Sequence, residues 1–238
     1  MHSRGIIMIG ALAALLAAPM AAWAQRVSSA YKFVERKQDL GVLVGYIWGD
    51  AGKADLGPTG GPTVGLQYAY RISTPIQLGA YAAYVNSNRD VIDPRAEGGA
   101  TSIGTTPQDL LLIAGRLHFN LTGARTWHNL IPYFFGGAGM AIDLTGEPIC
   151  LFEPNDVRCG VRPEDRYNFK SSFLGQFGVG FAWLPGARWG ARITFNDNIW
   201  KIRTPDGFFD PDVQLDPFPP DTDWTNNWQL AAALTFWF

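Results

Sequence analysis

Beyond residue 24 the sequence has no apolar run near the roughly 20 residues that a membrane-spanning helix needs, which excludes a helical span in that part of the chain. Charge is scarce, with Asp, Glu, Lys and Arg together at 17%. No stretch concentrates basic residues into the face that nucleic-acid binders present, so no nucleic-acid partner is expected. Histidine is rare as well: past residue 24 only His118 and His128 remain. His118 is followed by Phe119 and Asn120 rather than by a neighbouring serine, so the His-x-Ser arrangement of lipid A deacylases is missing. No catalytic residue is assigned and no enzyme activity is expected. The two cysteines, Cys150 and Cys159, are too few for a zinc site without added ligands. No metal or other cofactor is expected.

What is present begins with an export signal. His2 and Arg4 precede an apolar stretch over residues 6–20, and Ala22-Trp23-Ala24 supplies the small-x-small pattern of a signal-peptidase site, with Gln25 as the mature N-terminus. At 15 residues the stretch is short for an anchor. Loss of residues 1–24 removes one basic residue and leaves 18 Lys and Arg against 21 Asp and Glu, a net charge of −3. In an exported chain, two cysteines this close read as a Cys150–Cys159 disulfide. Residues 25–38 are polar and read as a short periplasmic lead-in.

From residue 39 onward, period-two alternation recurs eight times. Val64, Leu66, Tyr68 and Tyr70 alternate with Thr63, Gly65, Gln67, Ala69 and Arg71. Ile113, Gly115, Leu117 and Phe119 alternate with Leu112, Ala114, Arg116 and His118. Phe177, Val179, Phe181 and Trp183 alternate with Gln176, Gly178, Gly180 and Ala182. The other segments lie near 40–48, 76–84, 131–144, 188–200 and 228–238. One face is bulky and apolar while the other is small or polar. A soluble sandwich would turn the second face to water and load it with charge. Glycine, alanine, glutamine and a few isolated charges instead suit a narrow interior filled by side chains. The reading is all-β: an eight-stranded antiparallel up-and-down transmembrane barrel over residues 39–238. Lipid offers the backbone no hydrogen-bond partner, so the strands must close on themselves.

The connections fit this reading. Short ones (72–74, 122–129, 185–187) alternate with long ones (49–61, 86–107, 145–167, 201–226), as expected of periplasmic turns and four extracellular loops. Tryptophans fall near segment ends: Trp48, Trp200, Trp224 and Trp228 toward the long loops, and Trp127, Trp183, Trp189 and Trp237 toward the short turns. Two aromatic girdles are expected from them. Arg71, Asp109, Arg116, His118, Asp143, Gln176 and Arg192 are the candidates for a polar network inside the barrel, where isolated charges are costly and pairing is expected. The last long loop carries six aspartates between 206 and 223 among five prolines; their spacing matches no EF-hand, and it reads as a solvated acidic loop. Gly136-Gly137-Ala138-Gly139 lies inside a strand and reads as tight packing rather than as a phosphate cradle.

The last strand carries a resemblance. Leu234-Thr235-Phe236-Trp237-Phe238, alternating and ending on phenylalanine, resembles the C-terminal signal of outer-membrane barrels. With the export signal and the eight segments, the chain is similar to the small OmpA-, OmpX- and OmpW-like barrels over nearly the whole mature length, through architecture rather than a family motif. The resemblance implies an outer-membrane location and contact with outer-membrane lipid and lipopolysaccharide. It also implies delivery to the barrel-assembly machinery through Phe236 and Phe238, and a monomer. Two roles stay open at this point: a wall that displays interacting loops, or a narrow channel for small solutes. A lipid-modifying enzyme ranks below both.

Overall fold

The computed structural model describes residues 29–97, 99–151, 156–213, 215 and 217–238. The expected signal segment, 1–24, and the cleavage junction at Gln25 lie outside the described residues. Twelve strands follow in chain order: β1 (Tyr31–Phe33), β2 (Gln38–Trp48), β3 (Gly60–Arg71), β4 (Ile76–Val85), β5 (Asn88–Asp93), β6 (Thr101–Pro107), β7 (Leu110–Asn120), β8 (Arg125–Trp127), β9 (Leu130–Asp143), β10 (Ser171–Trp183), β11 (Trp189–Arg203) and β12 (Thr222–Trp237). Among the described residues the only helical pieces are three short 3-10 turns.

Eight of these strands make the barrel. They pair antiparallel in the order β2-β3-β4-β7-β9-β10-β11-β12, and β12 returns to β2 with Trp228 opposite Trp48 and Trp237 opposite Asp39. Every barrel strand neighbours the one before it, and the ring leaves no edge to pair elsewhere. Outward residues stand in the open: Val42, Leu66, Leu117, Val179 and Leu234 are each more than half exposed. A water-soluble monomer rarely shows contiguous apolar surface beyond roughly a few hundred Å², and here it circles the molecule. Such a surface belongs in lipid.

Glycines set the spacing of the wall where side chains would collide. A Cβ on Gly139 would stand 1.9 Å from the carbonyl oxygen of Ile113, and one on Gly137 would stand 3.1 Å from Cγ of Arg116. The glycine run therefore lets β9 lie close to β7 and leaves Arg116 its room.

The interior is layered. Toward the short turns, Val34, Ile131, Tyr133, Phe135, Ala182, Leu184 and Trp237 form one apolar cluster. Toward the long loops, Leu43, Ile47, Leu112, Leu174, Trp200 and Ile202 form another, which continues into the loops through Leu56, Ile92, Tyr167, Phe169 and Phe208. Polar side chains lie among and between them.

Four strands were not legible from alternation. β5 and β6 form a hairpin inside the second long connection. β8 sits inside the turn expected at 122–129 and returns into β9 through His128 and Asn129, both at positive φ, the two-residue geometry that matches strand twist. β1 adds to β8 with Tyr31 opposite Trp127, so residues 31–33 are not a bare lead-in but a strand laid across the short-turn end. At three residues each, β1 and β8 are too short for a periodic signal.

Candidate functional site

Inward parity brings four of the seven expected interior residues into the closed part of the lumen. Arg116 on β7 donates from Nε to Oε1 of Gln176 on β10 at 2.8 Å. Gln176 passes the chain to Asn198 on β11 at 2.6 Å, and Asn198 to Gln229 on β12 at 3.3 Å. The Gln229 amide meets the Tyr81 hydroxyl at 3.0 Å, and the Tyr81 ring lies 3.5 Å under the Arg116 guanidinium. The path therefore crosses the lumen and returns to its start, tying five strands together. Arg192 on β11 donates to Oδ2 of Asp39 on β2 at 3.0 Å, and both side chains are sealed from solvent. His118 sits among aromatic rings, with Tyr133 and Phe135 each at 5.2 Å between centroids. Arg71 is buried at the short-turn end, where it donates to the carbonyl of Val34 at 2.6 Å and holds the incoming chain over the barrel mouth.

The remaining two go elsewhere. Asp109 is not in the lumen: it has the parity of outward Leu111 and Ile113 and precedes β7 at the long-loop rim, where Asn86 donates to it at 3.0 Å. Asp143 has inward parity but ends β9 at the loop-side mouth, taking hydrogen bonds from Gln108 at 3.2 Å and from the Thr145 backbone at 2.8 Å.

Two tryptophans also depart from the expected girdles. Trp200 and Trp237 are each 1% exposed and point inward. Both occupy the parity of buried neighbours, Asn198 and Ile202 for the first, Ala233 and Thr235 for the second, and strand alternation decides over nearness to a strand end. Trp48, Trp127, Trp183, Trp189, Trp224 and Trp228 do stand outward and exposed, at the two ends expected. Phe236 and Phe238 also face outward, their rings 6.1 Å apart and Phe236 against Trp189.

Alternation placed Tyr81 and Gln229 on inward faces without marking them as partners. Thr194 likewise falls at the inward parity of Arg192, while Asp39, Asn198 and Tyr133 were missed. Asp39 lies one residue before the alternating segment as read, although the parity of Gly41 and Leu43 assigns it inward. Tyr133, whose hydroxyl meets Thr194 at 3.2 Å, lies in the segment near 131–144, where glycines at both parities blur the register.

The middle of the lumen is filled by side chains. The residual space between Leu43, Gln67, Tyr81, Arg116, Thr194, Asn196 and Gln229 is too small to admit a water molecule. The desolvation of an ion in so closed a place costs several kcal/mol. Arg192 is paired with Asp39, whereas Arg116 has no carboxylate partner among the described residues and is met instead by Gln176 and by the ring faces of Tyr81 and Phe135.

At the opposite end the long loops are fastened to one another. Arg95, in the second, donates to Asp165 of the third at 3.0 Å and also pairs with Asp210 of the fourth. These bonds hold its guanidinium above the ordinary arginine value. Cys150 and Cys159 form a disulfide with Cα atoms 5.6 Å apart. Within the bridged segment, Arg158 grips Asp156 at 2.6 Å and holds its carboxyl below the usual aspartate value. The acidic fourth loop is partly a packing element, since Phe208 is buried in the core. Among the described residues no three His, Cys, Asp or Glu side chains gather as a cation site.

No protein-family model and no curated protein matches the sequence. Solved structures do match. Neisserial surface protein A superposes with a TM-score of 0.51 at 11% identity, over 84% of this chain and 97% of that one. The chain has the fold of the small outer-membrane β-barrels. The outer membrane protein OprG of Pseudomonas aeruginosa (TM-score 0.47, 12% identity, 85% and 97% coverage) and outer membrane protein W of E. coli (TM-score 0.45, 13% identity, 85% and 98% coverage) are also similar.

Proposed function

We propose that this chain is a non-enzymatic outer-membrane barrel whose filled wall holds four external loops as an interaction surface. The observation that carries the reading is the contrast within the molecule. The lumen is closed by a hydrogen-bonded path through five strands, while the loop end is built up with a hairpin, a disulfide and inter-loop ion pairs. A conducting barrel needs a continuous wet path, and an eight-stranded wall has room only for side chains or one small ligand.

The proposal includes export by the cleaved segment 1–24 and residence as a monomer. Lipid and lipopolysaccharide surround the exposed belt, and residues 29–38 lie on the periplasmic side. Phe236 and Phe238 present the assembly machinery with its recognition signal. No catalytic role attaches to His118, whose ring is walled in by aromatics and arginines.

Planar-bilayer recording of the pure, folded protein tests the reading. No discrete conductance steps are expected; steps from wild type that Arg116→Ala enlarges would replace it with a channel. Deleting Phe238 should impair insertion, and normal membrane assembly without it would remove the assembly-signal part.

A further inference from the structure

Between the second and third long loops lies a cavity of about 170 Å³, walled by Arg89 of β5, Pro107 at the end of β6, Gln108 after it, Asp143 of β9, and the stretch around Tyr167. It is a separate space from the sealed lumen. Its basic residues are not all committed alike. Arg158 is bound to Asp156, and Arg166 gives its guanidinium to the carbonyls of Arg158 and Val161. Arg89 is buried, stacks over the Tyr167 ring at 5.2 Å and donates to two backbone carbonyls, those of Asp90 and Tyr167, each at 3.2 Å. Two of its five N–H groups are accounted for in this way, and no carboxylate stands within ion-pair distance of it among the described residues. Burial holds the group below the ordinary arginine value.

Asp143 and Asp156 act on the Arg89 charge through space, but neither bonds to it, and Asp156 is held by Arg158. Asp143 takes Gln108 and the Thr145 backbone, and Glu147 takes the Asn168 amide. Two further buried atoms lack a partner among the described residues: the Tyr167 hydroxyl and Oε1 of Gln108. Both residues line the cavity and both are more than nine-tenths buried. A buried polar group without a partner carries its full desolvation cost. Together these groups describe a complement: Arg89 has N–H groups left for an anionic acceptor, Gln108 Oε1 can take a hydroxyl or N–H donor, and the Tyr167 hydroxyl can serve as either.

We infer that this loop cavity is a binding site for a small hydroxylated anion, a sugar acid or hydroxy acid, whose charged group meets Arg89 and whose hydroxyls meet Gln108 and Tyr167. The inference rests on the reading of the loop end as the interaction surface, and names the chemistry that one part of it recognises. The walls suit such a role. Pro107, Pro148 and Pro163 stiffen them, and the disulfide begins two residues after Pro148, so little order has to be created on binding.

The test uses the folded mature protein in detergent micelles, titrated with D-gluconate and followed by calorimetry and by amide NMR. Saturable binding is expected, with shifts centred on Arg89, Gln108 and Tyr167, and neutral D-glucose should give none. Arg89→Gln should weaken gluconate binding about tenfold or more, as expected for loss of a charged hydrogen-bond donor. Arg89 also braces the β5–β6 hairpin, so Tyr167→Phe, which removes only the hydroxyl, is the second arm and should weaken binding a few-fold with the heat-resistant migration of the barrel unchanged. Methyl β-D-glucuronide separates the two sources of such an anion: binding of gluconate alone marks a free solute, and binding of both marks the end of a glycan. Absence of saturable gluconate binding, equal affinity in wild type and both variants, or equal binding of glucose would overturn the inference. Bilayer recording of the same preparation keeps the parent reading separate, because conductance steps would overturn the filled lumen whether or not gluconate binds.

Discussion

Arg192 in the lumen and Arg95 in the loops each hold a carboxylate at 3.0 Å, and the two contacts do different work. Around Arg192 and Asp39 almost no side-chain surface reaches solvent, so neither charge has water to fall back on. Arg95 divides itself between buried Asp165 and Asp210, the second of which is about half exposed. The same bond length therefore marks a contact the barrel cannot lose in one place, and an adjustable clasp in the other. On the proposed reading, a wall that stays shut and a surface that meets partners call for this division.

The sharpest way to break the comparison is Asp39→Ala. Removing one member of a buried pair strands the other, and the expected loss is about 3–5 kcal/mol, read as a lower urea midpoint in detergent and loss of heat-resistant migration. Asp39→Ala with Arg192→Met should recover much of that loss, since apolar replacement of a whole pair is often neutral. A single variant as stable as wild type would show that the lumen is wet enough to solvate Arg192, and the contrast would collapse.

Next in size is the disulfide. Its cysteines are nine apart in sequence, and closing so short a loop is worth about 2–3 kcal/mol in the chain-entropy picture. Cys150→Ser with Cys159→Ser should spend that loss locally: faster proteolysis and amide exchange over 144–170, with the urea midpoint of the barrel unmoved. A matching fall in the barrel midpoint would mean that loop and wall unfold as one unit.

How much of this could be read beforehand follows from the same contrast. The eight wall strands were legible because lipid on one side and a packed lumen on the other impose alternation on every residue, as in Val64 to Arg71. Arg116, Gln176 and Arg192 were legible for the same reason: a polar residue at inward parity has nowhere else to point. Trp200 and Trp237 were misplaced when a preference for interfaces was ranked above that parity. Asp109 was misplaced because charge alone was taken as grounds for an interior position, against its own register. The loop contacts were not legible. Arg95 meets Asp165 and Asp210 from 70 and 115 residues away, across irregular backbone in which no period reports what faces what. Arg89, Gln108 and Tyr167 are hidden by the same irregularity.

Arg95→Gln should have a smaller effect than loss of the disulfide, because Asp210 can turn to water once released and the Gln amide can still donate to the buried Asp165 carboxylate. Limited proteolysis should become faster in the second, third and fourth loops together while the barrel midpoint stays in place. Faster cleavage in the second loop alone would reduce Arg95 to a local contact and leave the disulfide as the cap's main fastening.

The weakest expected effect is one of pH. Arg158 holds the Asp156 carboxyl below its ordinary value of 3.8, first through the side-chain hydrogen bonds and then through the Arg158 backbone amide. A carboxylate with a depressed folded value contributes stability that is fully present above the unfolded value and lost as pH falls through the folded one. The third loop should therefore be indifferent to pH from neutrality down to about 5, and should loosen only below about 4. Amide exchange over Val157–Gly160 at pH 6 and pH 3, corrected for intrinsic rates, reads the difference. Arg158→Gln should remove most of that difference by raising exchange already at pH 6. Loosening that sets in near pH 6 would have to come from another group, and the loop's own carboxylate clasp would no longer account for its closure.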